Sequence, residues 1–338
     1  MNNNSFYIDL WLKICCIAIS LIVLVGGITR LTQSGLSMVD WKPITGILPP
    51  LNDSQWNEEF EKYKLFPEYE KINNLMTLSE YKKIYFWEYL HRILGRVIGL
   101  LFIIPPIFFY FKNQISKSLM RKAVFAIFLV LMQGFLGWYM VKSGLIDNPH
   151  VSHFRLASHL LLAFFLLGYT YWIRLTLNKV KRLSFNKGNL FKVNLLALIL
   201  FFQIVYGSFI AGTKAGKLWN TYPLMDGQLF PSQIFSLIPI YENFLNNMMM
   251  FQFMHRIIAI LFVLYCGYFF YKTSSDSFIG KYTGLLFMVS INQFIIGVMT
   301  LLSGVQIELG VLHQFVAIFL ILLIVKIKYL ILYNDTIN

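Results

Sequence analysis

"FWEYLHRILGRVIGL", residues 86–100, joins two chemistries that rarely share one helix. Beyond it the chain stays apolar to Phe111, yet the stretch itself holds Glu88, His91, Arg92 and Arg96. Ionisable side chains are costly in hydrocarbon and mark function by default. The stretch reads as the mouth of a membrane helix that carries a site.

The rest of the chain supports that reading. Hydrophobic residues make up 57% of 338 and charged residues 13%, with a mean hydropathy of +0.61. A single soluble core of this size could not hide so much apolar surface. Runs of about 20 apolar residues span a hydrocarbon core, and eight are present, at 11–31, 86–111, 119–141, 155–174, 191–212, 248–271, 281–302 and 309–332. The expected fold is all-α: a polytopic membrane protein with eight transmembrane helices.

A formal charge of +13 suggests nucleic acid until its distribution is examined. With a cytoplasmic N-terminus, Lys112, Lys117, Arg121, Lys122, Arg174, Lys179, Lys181, Arg182, Lys187, Lys192, Lys272, Lys281, Lys326 and Lys328 all fall inside. That is the positive-inside pattern, so the charge sets topology and no nucleic-acid partner is expected. Both termini are placed in the cytoplasm of a bacterial inner membrane. The opening MNNNSFYIDLWLK lacks a cleavage site and transit-peptide character, so the first span is expected to be retained. Cys15, Cys16 and Cys266 all fall in spans, so no outer-loop disulfide is expected.

Two long outer loops, 32–85 and 213–247, interrupt the spans. Thr77 and Glu80 bracket a capping box, and a helix from there to Phe111 would be about 50 Å long. Its first turns must stand outside the bilayer, with Pro105 and Pro106 bending its inner end. The chain also repeats itself. "GGITRLTQSGLSMVDWKPITG" resembles "YGSFIAGTKAGKLWNTYPLMDG", aligning Thr32 and Gly35 with Thr213 and Gly216, and Trp41 and Pro43 with Trp219 and Pro223. "YLHRILG" answers "FMHRIIA", and "QGFLGWYMVKSG" answers "NQFIIGVMTLLSG". Four spans per half give a parallel repeat: two four-helix bundles at 1–175 and 190–333, joined by a basic cytoplasmic linker at 176–189.

Four of the six histidines, His91, His159, His255 and His313, sit near the outer ends of even-numbered spans, two per half. They share a depth, about 20 to 30 Å from the nearest inner basic residue. Zinc would want three or four ligands in one place. Two histidines on facing helices suit an iron porphyrin held from both sides. One turn after each stands a small residue, Gly95, Ala163, Ala259 or Ala317, leaving room for a flat macrocycle. Glu88 shares a helix face with His91, and no carboxylate stands three before His159, His255 or His313. One bundle therefore reads as a redox cofactor site and the other as a reaction site. Glu88 pairing with Arg92 at a wetted helix mouth is the competing account. Arg92, Arg155 and Arg256 are candidate partners for porphyrin propionates, or interfacial anchors to lipid. His150 and His153 read as solvated loop residues. A di-heme electron-transfer cytochrome of the quinol oxidoreductase type, or a transporter, remains open on these residues alone.

These motifs resemble the heme A synthase family of alphaproteobacteria and mitochondria along nearly the whole chain. The resemblance is carried by "GGITRLTQSGLSMVDWKPITGILPP", "FWEYLHRILGR", "QGFLGWYMVKSGL", "RLASHL", "GSFIAGTKAG", "MHRIIA" and "LHQFVAI". It implies oxidation of the C8 methyl of heme O to the formyl of heme A, by successive hydroxylations and loss of water. It also implies that His255 and His313 hold heme b, and that His91 and His159 flank the substrate heme. Glu88 would be the functional carboxylate of Glu-x-x-His. Heme O synthase (protoheme farnesyltransferase) and cytochrome oxidase assembly factors are the implied partners, with the electron donor unidentified and a homo-oligomer allowed for. Some relatives carry a cysteine pair in outer loops, and this chain has none there.

Overall fold

The computed structural model describes residues 3–40, 45–145, 150–177, 179 and 185–333. Among them are eleven α-helices and no strand, and a β-bridge pairs Met225 with Gln228. The long helices are α1 (Asn3–Leu31), α4 (Leu78–Phe111), α5 (Lys117–Gly144), α6 (His153–Leu175), α7 (Lys187–Thr213), α9 (Met248–Thr273), α10 (Ile279–Leu302) and α11 (Ile307–Leu332). The short ones are α2 (Asp53–Lys64), α3 (Pro67–Lys71) and α8 (Glu242–Asn246). All eight long helices are long and apolar enough to cross a membrane. They match the eight expected runs, each extended by polar or capping residues that a hydropathy count leaves out.

The chain divides into two compact units. One is Ile17–Ala163, the other Met1–Cys16 with Phe164–Asn338. In the second unit α7 packs on α9, α9 on α10, α10 on α11 and α11 back on α7, closing a four-helix bundle. Its core is Val193, Leu196, Leu200, Phe262, Cys266, Phe269, Leu286, Ile324 and Ile327 with their neighbours. Phe262 is seven residues beyond His255, about 10 Å along the axis. The bundle is thus solid at one end and lined by histidine toward the other. In the first unit α4 packs on α5, and the Thr29 hydroxyl of α1 donates to the Trp87 carbonyl of α4 at 3.2 Å.

α4 starts where the capping box places it. The Thr77 side chain accepts from the Glu80 amide while the Glu80 carboxylate accepts from the Thr77 amide. The helix then runs 34 residues through Pro105 and Pro106. The stretch before it, read above only as an outer loop, is a small helical cap. α2 and α3 enclose a buried cluster of Met38, Phe60, Tyr63, Tyr81 and Tyr85, with Trp56 packed against it. Tyr63 stacks on Tyr81 at 5.1 Å, and Trp56 meets Tyr85 edge-on at 5.0 Å. Each such pair contributes about 0.5–1.5 kcal/mol beyond its buried area. The Tyr63 hydroxyl donates to buried Glu68 at 3.0 Å. Burial and the nearby Glu68 carboxylate push that phenol's pKa up.

The other outer loop condenses around Met225, Ile234, Met249 and Met250, with Trp219 and Phe244 against them. Asn247 caps α9 by accepting from the Met249 amide at 2.9 Å. Trp41 and Pro43, the counterparts of Trp219 and Pro223, lie outside the described residues, as do Lys181 and Arg182 of the basic linker.

Candidate functional site

The four histidines come together as two pairs. His91 on α4 and His159 on α6 stand 6.5 Å apart between ring centres, in the first unit. His255 on α9 and His313 on α11 stand 6.4 Å apart, in the second. The rings of each pair are inclined by 59° and 62°. Each ring lies so close to a glycine of a neighbouring helix that a Cβ there would crowd it. A Cβ on Gly26 would meet His91 Nε2 at 3.1 Å, and one on Gly137 would meet His159 Cε1 at 3.1 Å. The corresponding distances are 3.0 Å for Gly207 to His255 Cε1 and 2.9 Å for Gly297 to His313 Cε1.

Glu88 is only 3% exposed. One carboxylate oxygen accepts from Arg92 at 2.6 Å. The other accepts from the Ser37 hydroxyl at 2.8 Å and the Met38 amide at 2.9 Å. Arg92 in turn donates to the carbonyls of Met38 at 2.7 Å and Asp40 at 3.1 Å. Carboxylate and guanidinium together strap the 34–40 turn onto the helix that carries His91.

The second unit holds the same strap with one atom changed. Gln252, three before His255 and also 3% exposed, accepts from Arg256 at 2.6 Å. Its amide donates to the carbonyls of Ala215 at 3.1 Å and Leu218 at 2.8 Å. Arg256 donates to Trp219 O at 3.0 Å and Leu224 O at 3.3 Å. Where the first loop offers donors the helix presents a carboxylate, and where the second offers carbonyls it presents an amide. The sequence reading looked for a second carboxylate and so passed over Gln252.

Arg92 and Arg256 thus spend donors on loop backbone. Arg155 donates to Tyr139 O at 2.7 Å and lies 3.6 Å over the Tyr139 ring. His150 is exposed, and His153 opens α6 with its ring 4.1 Å from Phe154. Neither joins a histidine pair. Of the small residues one turn after each histidine, Ala163 is buried, and a Cβ on Gly95 would meet Ile22 Cδ1 at 3.7 Å.

Three glutamines also reach the histidines. Gln133 Nε2 donates to His159 O at 2.9 Å, and Gln293 Nε2 to His313 O at 3.0 Å. Gln203 Nε2 stands 3.2 Å from His255 Nε2, whose Nδ1 lies 3.1 Å from Gln203 O. Their signal was in the sequence as Q-x-x-x-G, at 133–137, 203–207 and 293–297.

The family model described as cytochrome oxidase assembly protein, COX15-CtaA, matches residues 9–325. The chain belongs to the COX15-CtaA family. It is similar to the heme A synthase of Flavobacterium psychrophilum, at 45% identity over 95% of this chain and 96% of that protein. It is 42% identical to the heme A synthase of Pelagibacter ubique over 99% of both chains. With that of Nitrosospira multiformis it shares 44% identity over 91% of this chain and 88% of the relative.

The histidine pairs of this family member fit heme iron on geometric grounds. A first-row metal–imidazole bond is about 2 Å, so two imidazoles on opposite faces of one iron bring their ring centres to about 6 Å. The observed 6.4 and 6.5 Å meet that requirement. The Nδ1 atoms of His159 and His313 are buried with no hydrogen-bond partner, as are the Oε1 atoms of Gln133, Gln203 and Gln293. Among the described residues no three His, Cys, Asp or Glu side chains cluster as a bare metal ion would need.

Proposed function

We propose that this chain is a heme A synthase, a membrane oxidoreductase that converts the C8 methyl group of heme O to the formyl group of heme A. The observation that carries the reading is the presence of two histidine pairs at bis-imidazole spacing, 6.5 and 6.4 Å, in a chain of this family. His255 and His313 would hold heme b. His91 and His159 would hold the substrate heme, in the N-terminal half at 1–175, with the cofactor half at 190–333. When bound, the hemes supply the redox chemistry. The protein's part is to fix their faces and to cover the reacting edge.

Glu88 separates the two sites chemically. It puts a carboxylate near His91, where the second unit has the neutral Gln252. The strap to Ser37, Met38 and Arg92 supports a positioning role, holding the outer turn beside the His91 site. The basic residues of the inner loops support cytoplasmic termini and heme sites toward the outer face of the bacterial inner membrane. The implied neighbours are heme O synthase upstream and the oxidase assembly machinery downstream.

Mass identification of the hemes extracted from purified protein tests the reading. Heme B together with heme O, its hydroxylated intermediate or heme A is the expected result. Heme B alone would turn the assignment toward an electron-transfer cytochrome.

A further inference from the structure

Each of the four histidines packs on the glycine of a neighbouring helix, and the residue one turn before that glycine faces the same way. At Gly137, Gly207 and Gly297 that residue is Gln133, Gln203 or Gln293. At Gly26 it is Ile22. We propose that the three glutamines are positioning residues that fix His159, His255 and His313, and that His91, with Ile22 in the corresponding place, is the ligand that releases first when heme exchanges. The inference rests on the reading that His91 and His159 hold the substrate heme.

An imidazole that binds iron through one nitrogen is oriented by what its other nitrogen meets. For His255 the acceptor in reach is the main-chain carbonyl of Gln203, at 3.1 Å from Nδ1. For His159 and His313 the glutamine amide grips the histidine's own carbonyl at 2.9 and 3.0 Å. In both, the glutamine Oε1 and the ring Nδ1 are buried without partners. A turn of each amide that brought Oε1 to the ring would let it accept from Nδ1–H, and in the second unit the Gln293 amide already reaches the His313 ring, 3.3 Å from its Nε2. Ile22 can neither donate nor accept.

Ring orientation separates the same three from the fourth. His159, His255 and His313 all turn Cε1 toward their glycine, with Nδ1 next nearest. His91 alone turns Nε2 and Cδ2 toward Gly26, at 3.1 and 3.4 Å from its ideal Cβ. One ligand in four thus lacks the amide and sits differently. A substrate heme must enter and a product heme must leave, which requires both ligands to let go, the less firmly held one first. A resident cofactor has no such requirement, and both of its histidines have a glutamine.

Carbon monoxide binding to the dithionite-reduced, heme-loaded protein tests this, because the gas takes an axial position only when a histidine leaves. The wild type is expected to bind it at the heme held by His91 and His159 and not at heme b. Ile22→Gln should slow that binding about tenfold or more, the usual size of a lost or gained partner to a ligating histidine. Gln133→Leu should speed it, with Gln133→Glu, which keeps an acceptor, closer to wild type. Gln203→Leu should open heme b to the gas. A purely structural role would lower heme content in these variants and leave the rates alone. Unchanged rates in both Ile22→Gln and Gln133→Leu, or preferential binding at heme b in the wild type, would overturn the proposal. Should Ile22→Gln not accumulate, the two leucine variants decide it in the opposite direction. If His91→Ala and His159→Ala leave the spectrum and heme content untouched, the site assignment fails first, and the two failures are thereby distinguished.

Discussion

At Glu88 the side chain is matched to its partners atom by atom. Two oxygens receive the Arg92 guanidinium, the Ser37 hydroxyl and the Met38 amide at 2.6–2.9 Å. In Glu88→Gln an NH2 group must confront one of these donors, and removing one partner from a buried charged network costs about 3–5 kcal/mol locally. That cost falls on the outer turn near His91. The variant is therefore expected to insert, to keep its heme b spectrum and to bind heme O, while making little or no heme A. Heme extraction and mass analysis of the variant checks it, and accumulated hydroxylated intermediate would place the requirement at the second oxidation. Near wild-type heme A would reduce Glu88 to a helix-mouth partner of Arg92.

The two histidine pairs stand on different scaffolds. His255 and His313 sit on α9 and α11 of a closed bundle, whereas His91 and His159 sit on α4 and α6, the former under a loop strapped down by charge. Replacing either of the first two should abolish the tightly bound heme b spectrum. Replacing either of the second two should leave most of it and stop conversion. Equal loss of the same heme from both sets in optical spectra would count against the division. The spans themselves were legible because about 20 apolar residues have few other uses, and the start of α4 because Thr77 and Glu80 cap reciprocally. The α2–α3 cap was not legible. Its stretch reads as polar, and its order comes from Tyr63, Tyr81, Tyr85 and Trp56 meeting across some 30 residues of chain. The four histidines were visible as a set, but the glutamines and glycines that seat them needed the helix registers.

Across the whole molecule, the proposed orientation of the spans rests on the distribution of lysine and arginine. A reporter fused between α6 and α7 should read cytoplasmic, and outer-facing reagents should reach the segments before α4, before α6 and before α9. A periplasmic signal between α6 and α7 would invert the topology while leaving all four histidines in one leaflet.

The cap over α4 has a different relation to its surroundings from everything else in the chain. It is held by stacked rings, a buried Tyr63–Glu68 contact and surface pairs such as Lys62 with Glu58 at 2.7 Å, so water and not lipid is its solvent. A small water-facing cluster of this kind opens at lower cost than a membrane-embedded bundle. On gentle warming the enzyme should therefore fall silent before it fades: heme A production fails as the cap loosens over the His91 site, while the heme b colour of the α7–α11 bundle persists to higher temperature.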